Sequence, residues 1–371
     1  MNTPINSEAA VAEPGPEPAA TRTVSSIDEL SAGGHVNPAH QKHLEIVANR
    51  FAVAITPAML DLIDPTMPDD PIAMQFVPDT RELEMSTMDV ADPIGDSSHT
   101  PLPGIVHRYP DRLLLTPLRI CPVYCRFCFR RETVGHTDNG SLSAGELENA
   151  LEYIRSHEEI WEVILSGGDP LILSPRRLGQ LIKALDNIEH VRVIRIHTRV
   201  PVVDPQRITI ELAQVLRVAT PVFVVLHSNH PREMTTAAKT ACARLVDTGI
   251  PMLSQSVLLK GVNDDATTLE QLFRTLVENR IKPYYLHHAD RAAGTAHFRT
   301  TIAEGQQLMQ ELRGRVSGIC QPEYVLDIPG GAGKVPVGPA WISGSEYNAY
   351  NVQSIDGETH HYTDEAPDQQ S

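Results

Sequence analysis

The segment RICPVYCRFCFR at residues 119–130 decides the interpretation of this chain. Its cysteines, Cys121, Cys125 and Cys128, are spaced CxxxCxxC. Three thiolates so close together can bind three irons of a 4Fe-4S cluster, and an exchangeable small molecule can then supply the ligand of the fourth iron. Structural zinc is the alternative, but it usually takes four ligands in paired CxxC units, and here only a histidine such as His136 could complete the set. The spacing therefore favours the cluster.

The cysteine run lies between the first and second of six apolar, β-branched-rich segments that are separated by helical patterns. Ser143 with Glu146, and Ser174 before Pro175, are typical helix start signals. This alternation predicts an α/β fold of βα units around a parallel sheet. Six units are fewer than the eight of a closed barrel, so we expect an incomplete (β/α)6 TIM-like barrel, open on one side for a ligand, rather than a doubly wound sheet. The six segments are Leu113–Leu118, Val163–Leu165, Val191–His197, Val222–Leu226, Leu253–Leu259 and Tyr284–His287.

A glycine pair ends the second apolar segment, in the sequence SGGDP at residues 166–170. Glycines at a strand end let the backbone approach a bound amino acid closely, and Asp169 could pair with its ammonium group. The alternative is a glycine-rich turn followed by a helix-entry aspartate. Because the cysteine run also follows a strand, where α/β enzymes carry their active sites, we favour the ligand-binding function.

A second glycine-rich loop, DIPGGAGKVPV at residues 327–337, contains Lys334. It does not match a phosphate-binding P-loop, because the glycine spacing differs and Val335 follows the lysine where that motif has Ser or Thr. A lysine on a flexible stretch can instead form a Schiff base with a carbonyl, as in pyridoxal phosphate enzymes. The alternative for any isolated lysine is a solvated surface position.

The composition bounds the function classes. The 371 residues include 31 basic and 47 acidic side chains, and the formal charge of −16 does not favour binding to nucleic acid or an anionic membrane. A small cationic substrate suits it better. No apolar run reaches the roughly 20 residues of a membrane span, and no secretory pattern is present, so we expect a cytoplasmic protein. The odd number of cysteines fits metal ligation in a reducing compartment.

From about residue 100 to 345 the sequence resembles the lysine 2,3-aminomutases, a pyridoxal-phosphate-dependent branch of the radical S-adenosylmethionine (SAM) superfamily. In that superfamily the open iron of the cluster holds the methionine amino and carboxylate groups of SAM, and reductive cleavage yields a 5'-deoxyadenosyl radical. The motifs that carry the resemblance occur in family order: HRYPDR at 107–112, the CxxxCxxC run with its FRRE extension, LSGGDPL at 165–171, RIHTRVPV at 195–202, HSNHPRE at 227–233, SQSVLLKGVND at 254–264, HFRT at 297–300 and DIPGGAGKVPV at 327–337.

The resemblance implies cofactor contacts for specific residues. Lys334 is expected to form the Schiff base with pyridoxal phosphate, and Arg108, Tyr109 and Arg112 are expected to contact that cofactor. Two guanidinium groups near a phosphate are physically sensible. The positions expected beside SAM are Ser166, Gly167, Gly168, Asp169, His227 and Gln255.

The resemblance also implies the substrate contacts and the reaction. Arg130 matches the arginine that binds the substrate carboxylate, and Asp290 and Asp327 match the acids that hold the ε-ammonium group. A surface cation and two loop-capping acids are the alternatives in isolation. The implied reaction interconverts L-lysine and L-β-lysine: the radical takes a hydrogen from C3, the amino nitrogen moves from C2 to C3, and the hydrogen is returned.

Other substrates and functions are the alternatives. Arginine or glutamate could replace lysine, although a glutamate enzyme would be expected to replace the acids with a base or amide. A related branch makes β-lysine for elongation factor P, and YYLH at 284–287 partly matches it, whereas the intact DIPGGAGK loop favours free lysine. A radical SAM enzyme without pyridoxal phosphate, and a non-catalytic iron–sulfur or zinc protein, are the remaining hypotheses.

Partners and segments can also be anticipated. We expect an electron donor such as flavodoxin or ferredoxin, and a homo-oligomer, although the zinc-binding C-terminal cysteines of clostridial-type enzymes have no counterpart after Cys320. Nucleic acid and membrane partners are not expected. The expected segments are a disordered tail over 1–25, a helical extension over 26–104, a radical SAM partial barrel with the cluster over 105–290, a C-terminal region with the lysine loop over 291–355, and a disordered acidic tail over 356–371.

Overall fold

The computed structural model describes residues 22–84, 86–135, 140–346 and 349–364. Within these residues a nine-stranded sheet forms the centre of the fold, and its strands follow one another in chain order. The strands are β1 (Ile105–Tyr109), β2 (Arg112–Leu118), β3 (Glu162–Gly167), β4 (Val193–Thr198), β5 (Val222–His227), β6 (Met252–Leu258), β7 (Ile281–His288), β8 (Glu323–Ile328) and β9 (Gly333–Pro336). Strands β2 to β8 are parallel, and β1 and β9 form antiparallel edges.

The six apolar segments predicted from the sequence form the parallel strands β2 to β7. The strand order never reverses, so the doubly wound alternative is excluded and the sheet curls into a nearly closed barrel. Strand β8 adds a seventh parallel strand that the sequence does not predict. Only its residues Tyr324 and Val325 are buried, and the acidic residues Glu323 and Asp327 flank its apolar run, which weakens the strand signal.

The helices cover the outside of the sheet. In α6 the buried residues Leu178, Leu181, Ile182 and Leu185 recur at helical spacing and form one apolar face. Among the described residues, no helix combines the length and apolar character needed to cross a membrane. The α-helices are α1 (Ile27–Ala32), α2 (Gln41–Arg50), α3 (Pro57–Leu60), α4 (Pro71–Phe76), α5 (Ala144–Ser156), α6 (Pro175–Asp186), α7 (Val200–Val203), α8 (Ile210–Val215), α9 (Thr236–Asp247), α10 (Ala266–Glu278) and α11 (Ile302–Arg315).

Both helix start signals are confirmed. The Ser143 hydroxyl accepts a hydrogen bond from the Glu146 backbone N–H, and the Glu146 carboxylate accepts one from the Ser143 backbone, which is a capping box at the start of α5. The Ser174 hydroxyl accepts from the backbone N–H of Arg177, and Pro175 occupies the first turn of α6. These caps fix where two of the helices after the strands begin.

The N-terminal extension contains α1 to α4 and packs into the same hydrophobic core as the barrel. A buried carboxylate, Glu82, joins it to the cysteine loop and to the segment that directly follows the loop. Glu82 forms ion pairs with Arg126 and Arg131, and all three side chains are almost fully buried. The extension also includes 3-10 turns at Pro38–His40, Thr80–Leu83 and Ser97–His99.

The C-terminal residues form a second, antiparallel sheet of β10 (Ile342–Glu346), β11 (Ala349–Gln353) and β12 (Thr359–Thr363). The predicted acidic tail over 356–371 differs from the structure in its first part, because THHYT at 359–363 pairs with β11. Its threonines and tyrosine favour extended structure despite the acidic composition around them. In the predicted N-terminal tail, Val24 pairs with Ile55. Residues 1–21 and 365–371 lie outside the described residues.

Candidate active site

The cysteines lie in the loop after β2, at the carboxyl end of the parallel strands. The N-terminal extension supports this loop, since the backbone N–H of Arg126 donates to the carbonyl of Gln75 across 2.8 Å. Desolvation raises the pKa of Cys121 well above its usual value and raises that of Cys128 to about 11. Thiols in this state stay protonated unless a metal provides positive charge to ionise them. Together with Cys125 they line one shared cavity, and three closely spaced cysteines are the residue types that a 4Fe-4S cluster with an open iron uses.

The SGGD turn at residues 166–169 packs directly against the cysteine loop. Gly167 has a φ of +97°, and a Cβ on Gly168 would lie 2.2 Å from the carbonyl oxygen of Ile120. The backbone N–H of Gly168 also donates to the carbonyl of Leu118 across 2.8 Å. Any side chain at position 168 would therefore collide with the backbone of the cysteine loop, which gives this glycine a packing reason in addition to the predicted contact with a ligand.

Asp169 holds the start of the loop that follows β4. Its carboxylate accepts hydrogen bonds from the Thr198 hydroxyl and the Arg199 backbone N–H, each across 2.7 Å, and from the backbone N–H groups of Leu171 and Val200. Burial raises its pKa above the usual value. The structure thus gives Asp169 a role in connecting strands β3 and β4, and its predicted pairing with an ammonium group stays a prediction.

Arg199 contacts a cysteine of the loop and was not selected from the sequence. Its Nη1 donates to the Sγ of Cys125 across 2.8 Å. Its Nη2 donates to Glu233 across 2.8 Å and to Gln75 across 2.5 Å. Because the guanidinium is almost fully buried and held by both partners, it places a fixed positive charge beside the Cys125 thiolate position.

Lys334 lies on β9 with its ammonium group facing the barrel interior. The Nζ atom donates to the Asp327 carboxylate and lies 3.2 Å from Nδ1 of His287. Its backbone N–H donates to the phenolic oxygen of Tyr109 across 2.8 Å. The Nζ atom also lies over the ring of Tyr285, 5.5 Å from its centroid. Lys334 is therefore a positioned interior lysine, and the solvated-loop alternative is wrong.

Two carboxylates lie beside this lysine and differ in charge state. Burial and the neighbouring Asp327 raise the pKa of Asp290 to about 7. For Asp327, burial alone would raise the pKa, but the adjacent His287 and the Lys334 ammonium, which donates a hydrogen bond to it, hold the pKa well below its usual value. The pair therefore carries one firm negative charge and one carboxyl group that ionises near neutral pH. A second cation at this position would favour the ionised form of both.

Arg108 and Arg130 meet at a shared carboxylate, Asp96 of the N-terminal extension. Arg130 donates to one oxygen of Asp96 through Nε (2.9 Å) and Nη2 (2.8 Å), and Arg108 donates to the other oxygen across 3.1 Å. Arg108 Nη1 also lies 3.9 Å from Asp327. A continuous charged network thus runs from Arg130 to Lys334. Neither arginine is a free surface cation, and Asp96 was missed because nothing in its local sequence distinguishes it.

Tyr109 and Arg112 flank the turn between β1 and β2. The Arg112 guanidinium lies over the Tyr109 ring, 3.9 Å from its centroid, and pairs with Asp111 across 2.7 Å. Tyr109 in turn holds the Lys334 backbone. The structure therefore brings Tyr109 to the lysine directly, whereas Arg112 reaches this region through the tyrosine ring.

Three strand-borne side chains line the same interior: His197 on β4, His227 on β5 and Gln255 on β6. His227 and Gln255 are register partners on adjacent strands. The Nε2 atoms of both histidines are buried and have no hydrogen-bond partner within the described part of the chain. Burial lowers the pKa of each imidazole well below its usual value, so both are neutral. Buried polar atoms without partners indicate that a ligand completes the site.

Comparisons with known proteins identify the family to which this chain is similar. The model of the Radical SAM superfamily matches residues 115–272, and the model described as Lysine-2,3-aminomutase matches residues 309–369. The L-lysine 2,3-aminomutase of Acetoanaerobium sticklandii is 41% identical over 92% of this chain and 83% of its own. The chain belongs to the lysine 2,3-aminomutase family.

Two further family members frame the range of substrates. The L-lysine 2,3-aminomutase of Clostridium subterminale is 39% identical over 90% of this chain and 80% of its own. The glutamate 2,3-aminomutase of Clostridioides difficile is 37% identical over 87% of this chain and 77% of its own. Membership identifies the chain as an isomerase of the radical SAM superfamily, which uses a 4Fe-4S cluster and SAM. The non-catalytic alternatives are therefore excluded, and the choice among amino acids depends on the site.

Several residues of this candidate site were not expected from the sequence. His197 lies within the RIHTRVPV motif and His287 within YYLH, so their segments were recognised but their side-chain directions were not. Because side chains alternate between the two faces of a strand, the positions of His197 on β4 and His287 on β7 could have indicated which face of the sheet each one occupies. Arg199 also lies within RIHTRVPV, but its partner Glu233 is 34 residues away, and Asp96, which contacts Arg108 and Arg130, has no local signal.

Proposed function

We propose that this family member interconverts L-lysine and L-β-lysine by a 2,3 amino shift, using a 4Fe-4S cluster, SAM and pyridoxal phosphate. The observation that carries the proposal is the position of Lys334. Its Nζ lies inside the barrel against Asp327, with Asp290 close enough to alter the charge of the pair. One interior amine and two carboxylates at one barrel end suit a substrate with two amino groups.

Two sets of residues would hold the cofactors. When bound, SAM on the cluster supplies a hydrogen-abstracting radical, and pyridoxal phosphate supplies a carbonyl that holds the migrating nitrogen. Lys334 offers the nitrogen for covalent attachment, and Tyr109 fixes its backbone. Arg108 and Arg112 provide positive charge for the phosphate, and the Nε of Arg108 is buried without a partner among the described residues.

On the cluster side, Cys121, Cys125 and Cys128 would bind three irons. The turn Ser166–Asp169 and the side chains of His227 and Gln255 would contact SAM, because the turn and His227 lie at the ends of β3 and β5 and Gln255 is the register partner of His227 on β6. The unpartnered Nε2 of His227 supports this assignment, since a bound ligand would satisfy it. The ring of His227 stacks on Phe127, which lies between two of the cysteines, with centroids 5.6 Å apart. This stacking fixes its direction.

The substrate would lie between the two groups of residues. Arg130 would bind the α-carboxylate with its planar guanidinium, whose direction is set by two hydrogen bonds to Asp96. Asp290 and Asp327 would hold the ε-ammonium at the other end. A side-chain carboxylate, as in glutamate, would meet the firm negative charge of Asp327, so the site favours a cationic substrate. Free lysine fits this charge better than glutamate.

The proposal extends to partners. Reduction of the cluster requires a one-electron donor, for which a flavodoxin or ferredoxin is suited. We also propose that the chain forms a homo-oligomer and acts in the cytoplasm.

The test is a comparison of substrates with anaerobically reconstituted protein. Incubation with SAM, reductant and L-lysine should give 3,6-diaminohexanoate, whereas L-arginine and L-glutamate should give little product. Lys334→Ala should abolish the reaction while retaining iron and SAM cleavage. Preferred turnover of glutamate or arginine would show that the substrate assignment is wrong. Full activity of Lys334→Ala would show that covalent attachment at this lysine is wrong.

A further inference from the structure

His287 contacts the nitrogen that reacts in the proposed function. It lies on β7, and its Nδ1 is 3.2 Å from Lys334 Nζ and 3.6 Å from Oδ2 of Asp327. An ammonium group can only donate hydrogen bonds, so Nδ1 is the acceptor and the imidazole proton resides on Nε2. The three side chains form a compact group of base, nucleophile and anion.

An ammonium must lose a proton before its nitrogen can attack a carbonyl. Asp327 contacts the same nitrogen, but the low pKa of this carboxylate makes it a weak base. Burial, followed by the Lys334 charge, lowers the pKa of His287 below its usual value, so the imidazole is neutral and able to accept a proton at neutral pH. Asp327 would then stabilise the imidazolium that forms.

The surroundings of His287 contain other ionisable groups. Lys334 and Asp327 face it from β9 and β8, and His197 and His227 face it from β4 and β5. The ring of Tyr285, two residues away on the same strand, lies 5.6 Å from it. The two other histidines are neutral and cannot supply a proton. Lys334, whose Nζ lies 3.2 Å from Nδ1, is therefore the cation from which His287 can accept a proton directly.

We propose that His287 is a catalytic residue that transfers the proton when Lys334 bonds to a carbonyl carbon, an inference that rests on the proposed function. His287 Nδ1 takes one proton from the ammonium, and the freed nitrogen pair forms the C–N bond. A second nitrogen proton moves to the former carbonyl oxygen. The imidazolium then returns its proton to that oxygen as the C–O bond breaks, and one water leaves. The nitrogen keeps one proton and the positive charge, so atoms and charge balance.

The test follows the rate at which Lys334 takes up pyridoxal phosphate. Full-length protein with its cluster, stripped of pyridoxal phosphate, is mixed with that compound, reduced with borohydride at timed intervals and digested. Mass spectrometry then measures the labelled fraction of residue 334. This readout needs neither SAM nor substrate. In His287→Gln we expect attachment about 100-fold slower with unchanged final occupancy, because a general base typically contributes about 10² or more to such a step.

The pH dependence separates proton transfer from structure. Wild-type attachment should vary little between about pH 7 and 9 and should slow only as His287 becomes protonated below its lowered pKa. In His287→Gln the rate should instead rise steeply over the same interval, because solvent alone must remove the proton. His288→Gln is the matched control. His288 is the next residue, but its Nδ1 contacts the Tyr324 hydroxyl across 2.7 Å, so this variant should behave as wild type.

The outcomes are distinct. Slow attachment with a steep pH dependence in His287→Gln alone supports the proposal. Equal rates in His287→Gln and wild type overturn it, and so does a variant that loses occupancy without a change in rate. Should the variant fold poorly, a steep wild-type pH dependence over the same interval overturns the proposal by itself. No label at residue 334 in wild type would instead refute the proposed function, which is a separate result.

Discussion

The backbone N–H of Lys334 donates a hydrogen bond to the phenolic oxygen of Tyr109, 2.8 Å away. Tyr109 ends β1 and Lys334 lies on β9, and these are the two edges of the central sheet. The bond therefore crosses the open side of the barrel. The Arg108–Asp327 pair, at 3.9 Å, joins β1 to β8 in the same region. The first strand of the barrel thus fixes the position of the lysine that the proposed reaction uses.

Tyr109→Phe should weaken retention of pyridoxal phosphate. The change removes the acceptor of the Lys334 N–H. This loss costs about 1 kcal/mol and corresponds to a roughly five-fold higher dissociation constant for pyridoxal phosphate. Equilibrium dialysis measures this constant. Tyr153→Phe is the control, because its hydroxyl contacts His107 instead, across 3.0 Å. Equal affinities for both variants and wild type would contradict the role of the Tyr109 bond.

Lysine binding should release a proton near neutral pH. Asp290 has a pKa raised to about 7 by burial and by Asp327, so a substantial fraction is protonated at and below that pH. A bound ε-ammonium favours the ionised carboxylate, so lysine should bind more weakly as the pH falls below about 7. Calorimetry in buffers of different ionisation enthalpy measures the protons released, and Asp290→Asn should release fewer. The assignment of Asp290 to the ammonium is wrong if the two proteins release equal numbers.

Arg130→Gln should raise the KM for lysine with little effect on attachment of pyridoxal phosphate to Lys334. Loss of a charge-assisted contact to a carboxylate costs about 1.5–3 kcal/mol, or roughly 10- to 150-fold in binding. Steady-state kinetics and borohydride labelling measure the two effects separately. Arg155→Gln, which alters a half-exposed ion pair on α5, should change neither. A loss of labelling as large as the change in KM would show that Arg130 supports the site as a whole.

Glu82→Ala should destabilise the fold and loosen the cysteine loop. It leaves Arg126 and Arg131 buried without their shared anion, at a cost of about 3–5 kcal/mol. Denaturant unfolding of the protein measures this loss. Asp247→Ala removes the partner of the exposed Arg280, and such surface pairs contribute only about 0–1 kcal/mol. Similar losses of unfolding free energy in both variants would show that the buried ion pairs of Glu82 contribute no more than a surface pair.

The barrel could be anticipated from the sequence because its parallel strands β2 to β7 contain short apolar segments, each with several buried residues. In β3, for instance, nearly every residue is buried, so an apolar run marks the strand directly. Strand β8 has acidic residues, Glu323 and Asp327, among its apolar ones, and β12 lies in an acidic segment, so neither stands out. Whether such a segment forms a strand depends on its pairing with neighbouring strands, which its own residues do not reveal.

The site could be anticipated only in part, for a similar reason. Lys334 and the cysteines lie in motifs with unusual residue types, so spacing alone draws attention to them. Asp96 matters because it accepts hydrogen bonds from Arg108 and Arg130, which lie 12 and 34 positions further along the chain. His287 matters because strand β7 directs it toward β9. Such contacts follow from the closure of the barrel and have no local signature.

The most direct measurement of the proposed reaction follows the amino nitrogen itself. Reconstituted protein is incubated anaerobically with SAM, reductant and L-lysine that carries nitrogen-15 at the α-amino group, and the product is analysed by NMR. A 2,3 shift at this site predicts 3,6-diaminohexanoate with the label bonded to C3 and no loss to solvent ammonia. Recovery of unchanged lysine from protein that cleaves SAM and turns over another amino acid would contradict it.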